Sequence, residues 1–254
     1  MGWNASLSAS SALGSAITFT PDTTTEGTYT VAAFTAPKKA IYRFLLKGSG
    51  GTVTNNGGSS SAGGTGGTTT GYLLLEAGQK VYVGAGGPCS AAFVSKVTGS
   101  KLSSIAKENL YFVAGGGGGG GYSNENDTSR HGGRGGDGLY GGKGGTVSAG
   151  GGGGSGYVYS AELSVGSKTF ASSTAQGGGA GSHSAGSVVV TYYADAELPV
   201  SFDGVKLMEL FFNGTRVEHL VYNGAALFMH TLKRGVAALL SMLRESPRLK
   251  EAVV

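Results

Sequence analysis

One cysteine and four histidines are the only thiol and imidazole groups in the 254 residues. Their spacing organises no familiar chemistry. Cys89 sits between Pro88 and Ser90, without a catalytic context and without a disulfide partner, and reads as a small residue in the core or on the surface. His131, His183, His219 and His230 do not meet another histidine or a carboxylate at metal-ligand spacing; Glu218 and His219 are adjacent and so point to opposite faces of a strand. "GSGG" and "GAGG" are not followed by Lys-Ser/Thr and lie in no βαβ unit, so they do not read as phosphate loops. No nucleophile elbow appears. "GGRGG" is a single unit of a motif that RNA-binding tracts repeat many times. The expectation is a non-enzyme without cofactor, metal or nucleic acid. The densest polar chemistry is "YSNENDTSRH", Tyr122 to His131, whose rings, amides and charges offer stacking faces and fixed donors and acceptors. Those types suit sugars and polar epitopes, and they suit an ordinary exposed loop equally well.

What would have to position such residues is glycine. Fifty residues are glycine, against an average near 7%. Charged residues make up 13%, hydrophobic residues 39%, and the formal net charge is +4. Disordered chains combine low hydrophobicity with high net charge, so this balance favours a folded core. In "GGRGGDGLYGGKGG" a period of three runs through Gly132, Gly135, Gly138, Gly141 and Gly144. Gly133, Gly136, Gly142 and Gly145 fill the second register, interrupted by Leu139, and Arg134, Asp137, Tyr140 and Lys143 fill the third. Gly58, Gly64 and Gly67 keep the same spacing. A polyproline-II-type helix has three residues per turn and no internal hydrogen bonds. With glycine faces, several such helices can approach and bond laterally, which satisfies the backbone without side chains. Glycine loses more conformational freedom on folding than any other residue, so only a cooperative array offsets that loss. A flexible linker is the alternative, but linkers lack regular charged and aromatic punctuation.

The remaining pattern is β. "TYTVAAFTAP", "IYRFLLKG", "LYFVAG" and "SVVVTYY" read as strands, with Ile41, Tyr42, Phe44, Leu45 and Leu46 largely buried. "ENLYF" reads as part of a strand, and "GYLLLEAGQKVYVGAG" as a hairpin about Ala77-Gly78-Gln79. Glycine tracts begin or end directly on several of these strands. Asp203-Gly204, Asn213-Gly214 and Asn223-Gly224, ten residues apart, are hairpin signals because type I′ turns need positive φ at both central positions. Each follows an aromatic residue: Phe202, Phe212 and Tyr222. The result is a β-meander with Leu207, Val217 and Leu227 on one face and Met208, Leu210, Leu220 and Phe228 on the other. Two apolar faces imply self-association, and a homotrimer is favoured. Val236, Leu239, Leu240 and Leu243 fit a short helix that ends at Pro247. The expected division is an N-terminal β region (1–50), a glycine-rich polyglycine-II and β domain (51–195), the meander (198–230) and a helical tail (231–254). No signal peptide and no membrane-spanning run are expected.

"FTAPKKAIYRFLLKGSGG", an apolar strand leading into glycine, and the C-terminal "VKLMELFFNGTRVEHLVYNG" resemble parts of glycine-rich bacteriophage tail-fibre and tail-tip adhesins. The resemblance covers about residues 28–230 and rests on low-complexity motifs. It implies a mainly β fold carrying a packed bundle of polyglycine-II helices, and a non-enzymatic receptor-binding protein of a virion. The implied partners are a bacterial surface polysaccharide or protein and other tail proteins. It also places recognition at loops between the glycine helices. On this chain those positions are Tyr122, Asn124, Asn126, Asp127, Arg130, His131, Arg134, Leu139 and Tyr140. Tyr157 and Tyr159 are expected in a strand core instead. The alternative is a virion fibre or spacer with no host binding.

Overall fold

Alternation of large apolar residues with small or polar ones sets the strands, and glycine tracts separate them. Before the first tract lie β1 (Ala16–Phe19), β2 (Tyr29–Thr35) and β3 (Ala40–Lys47). Between the first and second tracts come β4 (Thr68–Leu75), β5 (Lys80–Gly86), β6 (Ala92–Ser95) and β7 (Leu110–Ala114). Short strands β8 (Tyr122–Ser123), β9 (Arg130–His131) and β10 (Tyr157–Val158) follow. Then come β11 (Glu162–Val165), β12 (Lys168–Ala171), β13 (Ser173–Ala175) and β14 (Ser187–Asp195). This computed structural model describes residues 2–52, 63–123, 130–131, 135–145, 151–165, 168–177 and 184–196, together with strand segments between 201 and 229. Met1–Ser164 and Lys168–Ala194 make one unit; Val165–Ser167 and Asp195–Val254 make the other.

The first unit is mainly β and is built on two five-stranded sheets, ordered β1-β14-β3-β4-β13 and β10-β7-β6-β5-β2. Tyr42, Phe44 and Leu46 of β3, Val81 and Val83 of β5, Phe112 of β7 and Val188 and Val190 of β14 are buried in one shared core. Phe44 centres it, with its ring 6.1 Å from Phe34 and 6.2 Å from Phe112. Gly71 of β4 has no room for a Cβ because the Phe112 ring occupies that space. A second apolar cluster, with Phe93, Leu102, Ile105, Leu110 and Val113, includes further residues of the β10-β7-β6-β5-β2 sheet. Strands of the first 50 residues are woven into both sheets with later strands: β1 pairs β14, and β2 pairs β5.

One expectation fails here. β4 and β5 do not form a hairpin: β4 pairs β3 in one sheet, whereas β5 pairs β2 and β6 in the other. The Ala77-Gly78-Gln79 turn is an arch between sheets. Gly78 takes φ +80°, and the turn bonds to Ala36 rather than zipping up its own strands: Ala36 N–H donates to Gln79 O at 2.9 Å and Gly78 N–H to Ala36 O at 2.8 Å. The apolar faces of β4 and β5 meet across the core, which a hairpin within one sheet would prevent.

Beyond the core, strand pairs from both sheets continue as glycine segments. The β3–β4 pairing ends at Lys47 opposite Thr68. Gly48 N–H then donates to Gly67 O at 2.9 Å, and Gly51 N–H to Gly64 O at 2.8 Å. The β7–β10 pair is continued by Gly154 N–H to Gly116 O (2.9 Å) and Gly151 N–H to Gly119 O (2.8 Å). These two pairs also bond to each other. Gly67 and Gly64 donate to Gly115 O (2.7 Å) and Gly118 O (2.8 Å), while Gly117 and Gly120 donate to Ser49 O and Thr52 O, each at 2.8 Å. In every set the donors and acceptors step by three residues. Gly115–Gly121 is buried throughout. Among the described glycines, positive φ occurs at Gly2, Gly14, Gly27 and Gly78, none of them in these tracts.

Close approach, rather than conformational freedom, fixes glycine here. A Cβ at Gly51 would overlap the carbonyl of Gly118, and one at Gly118 would overlap the carbonyl of Gly151. The same holds for Gly135 against Gly142, Gly136 against Gly116, and Gly142 against Gly152. Both expected glycine registers are close-packed ahead of the turn, but past it they differ. Gly135 and Gly138 are tightly enclosed, but a Cβ at Gly141 would meet its nearest neighbour, Gly136 O, at an ordinary 3.9 Å. The chain reverses at 138–140, which resets the phase so that Gly142, not Gly141, faces its neighbour. Gly144 is exposed, and Gly132 lies outside the described residues.

In the second unit, β15 (Ser201–Phe202) pairs β16 (Val205–Lys206), and β17 (Phe211–Phe212) pairs β18 (Thr215–Arg216). β19 (His219–Tyr222) pairs β20 (Ala225–Met229). These antiparallel pairs flank the three expected turns. The turn residues Asn213, Gly214, Asn223 and Gly224, the meander positions at 207–210 and the tail 231–254 lie outside the described residues.

Gly118→Ala is expected to destabilise the first unit by about 1–3 kcal/mol, as overpacking does, and Gly141→Ala to change it by less than about 0.5 kcal/mol, as for an unhindered surface site. Urea denaturation of both variants measures the difference.

Candidate functional site

The segment 135–137 leaves the array, turns at Gly138–Tyr140 and returns through Gly141–Lys143, closed by Gly142 N–H to Gly136 O at 2.8 Å. Ser155, a lone hydroxyl in a glycine tract, holds the turn. Leu139 N–H donates to Ser155 O at 3.1 Å, Tyr140 N–H to Ser155 Oγ at 2.9 Å, and Ser155 N–H to Tyr140 O at 3.0 Å. Asp137 anchors the base of the turn. Its N–H donates to Cys89 O and its carbonyl accepts from Gly116 N–H, each at 2.8 Å. The Tyr29 hydroxyl donates to Asp137 Oδ2 at 3.0 Å and accepts from Ala91 N–H at 3.1 Å. Burial, and then the negative charge of Asp137, push the Tyr29 phenol well above its ordinary range. It stays protonated near neutrality and acts as a fixed donor.

Facing this turn is the 101–110 segment, with short 3-10 turns at Leu102–Ser104 and Lys107–Asn109. Leu102 and Ile105 bury themselves in the second apolar cluster and hold the segment in place. Between turn and segment lies an open groove of about 570 Å³, lined by Tyr29, Asp137, Leu139 and Tyr140 and by Lys101, Leu102, Lys107 and Leu110, among others. Tyr140 is 68% exposed. Lys101 and Lys107 are both exposed, and the Lys107 ammonium stands 5.4 Å from the Tyr157 ring centre.

Of the nine recognition positions, Leu139 and Tyr140 therefore line one groove, although Leu139 is partly buried against the second cluster. Tyr122 and His131 are brought opposite each other by the β8–β9 pairing, as are Ser123 and Arg130. Asn124, Asn126, Asp127 and Arg134 lie outside the described residues. Tyr157 packs against the second cluster, in line with a core role. Tyr159 does not: it is 54% exposed, beyond the two-residue edge strand β10, under the Lys96 ammonium at 4.4 Å. Its N–H still donates to Tyr111 O at 2.7 Å, and its ring stands edge-on to Tyr111 at 6.0 Å on the surface. Cys89 is fully buried, with φ +61°.

Sequence reading missed Tyr29, Lys101, Lys107 and Ser155. Ser155 carried a usable signal as the single polar interruption of "AGGGGGSGY". The two lysines carried none, because 97–109 has neither strand nor helix periodicity. The groove joins a stacking face, cations and a fixed carboxylate, a set suited to binding.

No family model and no curated protein matches this chain.

Tyr29→Phe should cost about 1–3 kcal/mol by leaving the Ala91 amide and the Asp137 carboxylate without their partner. A folded-state phenol pKa raised above the unfolded value near 10 contributes stability that is present below pH ~10 and lost as pH rises past it. The variant should accordingly show a shallower alkaline loss of stability, measured by denaturation at a series of pH values.

Proposed function

We propose that the laterally bonded tracts are polyglycine-II helices packed as a bundle, and that the chain is a non-enzymatic receptor-binding protein of a phage tail fibre or tail tip. Three features support the bundle: the three-residue step of the lateral bonds, the negative φ of the tract glycines, and carbonyl oxygens standing where a Cβ would be. β-ladder bonds between two antiparallel strands would recur every second residue. A bundle of this kind is a stiff scaffold whose segment ends are free to carry variable side chains.

The observation that carries the recognition reading is the groove at the 138–140 turn, where an exposed Tyr140 is fixed at its backbone by three hydrogen bonds to Ser155 through Leu139 and Tyr140. An aromatic side chain held out of the core on a rigid backbone loses little entropy when a ligand stacks on it. The proposed target is a polysaccharide or protein of the bacterial surface. The proposed setting is a virion, with other tail proteins and further copies of this chain, a trimer being favoured, as partners. Weak single sites would then gain strength through multivalency.

Labelled chain should bind cells within a panel of Gram-positive and Gram-negative bacteria, counted by flow cytometry. Tyr140→Ala should reduce that binding at least about tenfold, the equivalent of ~1.4 kcal/mol, without altering the unfolding curve. Equal binding by the variant would remove the groove from the recognition site; binding to no member of the panel would favour a structural spacer.

A further inference from the structure

The charges of the groove define its ligand more narrowly than its shape does. Lys101 and Lys107, both exposed, line one side; the Lys107 ammonium also stands 5.4 Å from the Tyr157 ring centre, and neither lysine is in a salt bridge among the described residues. Among the described residues the sole carboxylate lining the groove is Asp137, and its Oδ2 already accepts the Tyr29 hydroxyl. The groove thus has a cationic excess of one, with its negative group held by the fold. Tyr140, 68% exposed, supplies a flat face beside them. A ring that stacks on Tyr140 through its C–H face and carries a negative substituent would satisfy both elements at once. Resting on the recognition reading above, we infer that the groove binds an acidic saccharide, a sugar or polyol unit bearing a carboxylate or phosphate, with Lys101 and Lys107 as its ionic partners and Tyr140 as its platform.

Both lysines are solvent-exposed, so their attraction is screened within a Debye length of about 8 Å at physiological ionic strength, and binding should weaken as salt rises. The test uses the full chain, with oligogalacturonate as the carboxylate probe, a glycerol-phosphate oligomer as the phosphate probe and dextran as the neutral probe, by titration calorimetry. The expected result is binding of one or both anionic probes, no binding of dextran, at least tenfold weaker affinity for Lys101→Gln/Lys107→Gln and for Tyr140→Ala, and unchanged unfolding of both variants. Which anionic probe binds tells carboxylate from phosphate. Three results would overturn the inference: anionic binding that the lysine variant leaves intact, dextran binding equal to that of the anionic probes, or binding of none of them. Tyr140-dependent binding of bacteria with no anionic probe bound would sink the acidic-saccharide assignment alone; loss of both would sink the recognition reading with it.

Discussion

A carbonyl oxygen occupies the place of a Cβ at successive positions along the glycine tracts, and the first unit depends on that substitution. Two sheets in a sandwich normally stand about 10 Å apart, the distance their side chains fill. Here the filling stops abruptly, at Lys47 on one strand and Ala114 on another. Once large side chains give way to glycine and an occasional Ser or Thr, the continuations of β3–β4 and β7–β10 close on each other and bond backbone to backbone. The apolar core and the glycine array are successive parts of the same strand pairs. Phe44 and Phe112 hold the sheets in register at one end, and that register delivers Gly48 and Gly115 side by side at the other.

Such an array is cooperative by construction. Each lateral bond contributes a net ~0.5–1.5 kcal/mol, but a buried amide left unmet costs about 1–3 kcal/mol. The segment 115–120 bonds to the segments at 48–52, 64–67, 137 and 151–154, so losing one neighbour strands groups on several others. The turn at 138–140 inherits this rigidity through Asp137 and Ser155. A groove formed by backbone-anchored residues on one side and by buried Leu102 and Ile105 on the other needs no rearrangement to present Tyr140.

Much of this was legible before any coordinates. The strands at Ile41–Leu46, Leu110–Ala114 and Ser187–Asp195 follow from runs of β-branched, aromatic and aliphatic residues, and the period of three in the glycine tracts corresponds to the three-residue step of their bonds. What escaped reading was non-local. Whether Gly78 closes a hairpin or an arch depends on which neighbours β4 and β5 find, and that is set by β2 and β3 rather than by the turn. The phase of the glycine register is reset by the reversal at Leu139–Tyr140, so Gly141, in register by count, is spacious while Gly142 is enclosed. In the site, the family resemblance placed Leu139 and Tyr140 among the recognition positions, but Lys101 and Lys107 come from an irregular segment brought alongside by the burial of Leu102 and Ile105.

The most direct test of the proposed helix bundle is residue-resolved amide hydrogen exchange across 48–52, 64–67, 115–120 and 151–154. The account predicts slow exchange at Gly64, Gly67, Gly117, Gly120, Gly151 and Gly154, the donors that recur at intervals of three, with protection comparable to that of the β3 and β7 strands. Exchange at random-coil rates through these glycines, beside protected strands, would contradict it and reduce the tracts to tethers.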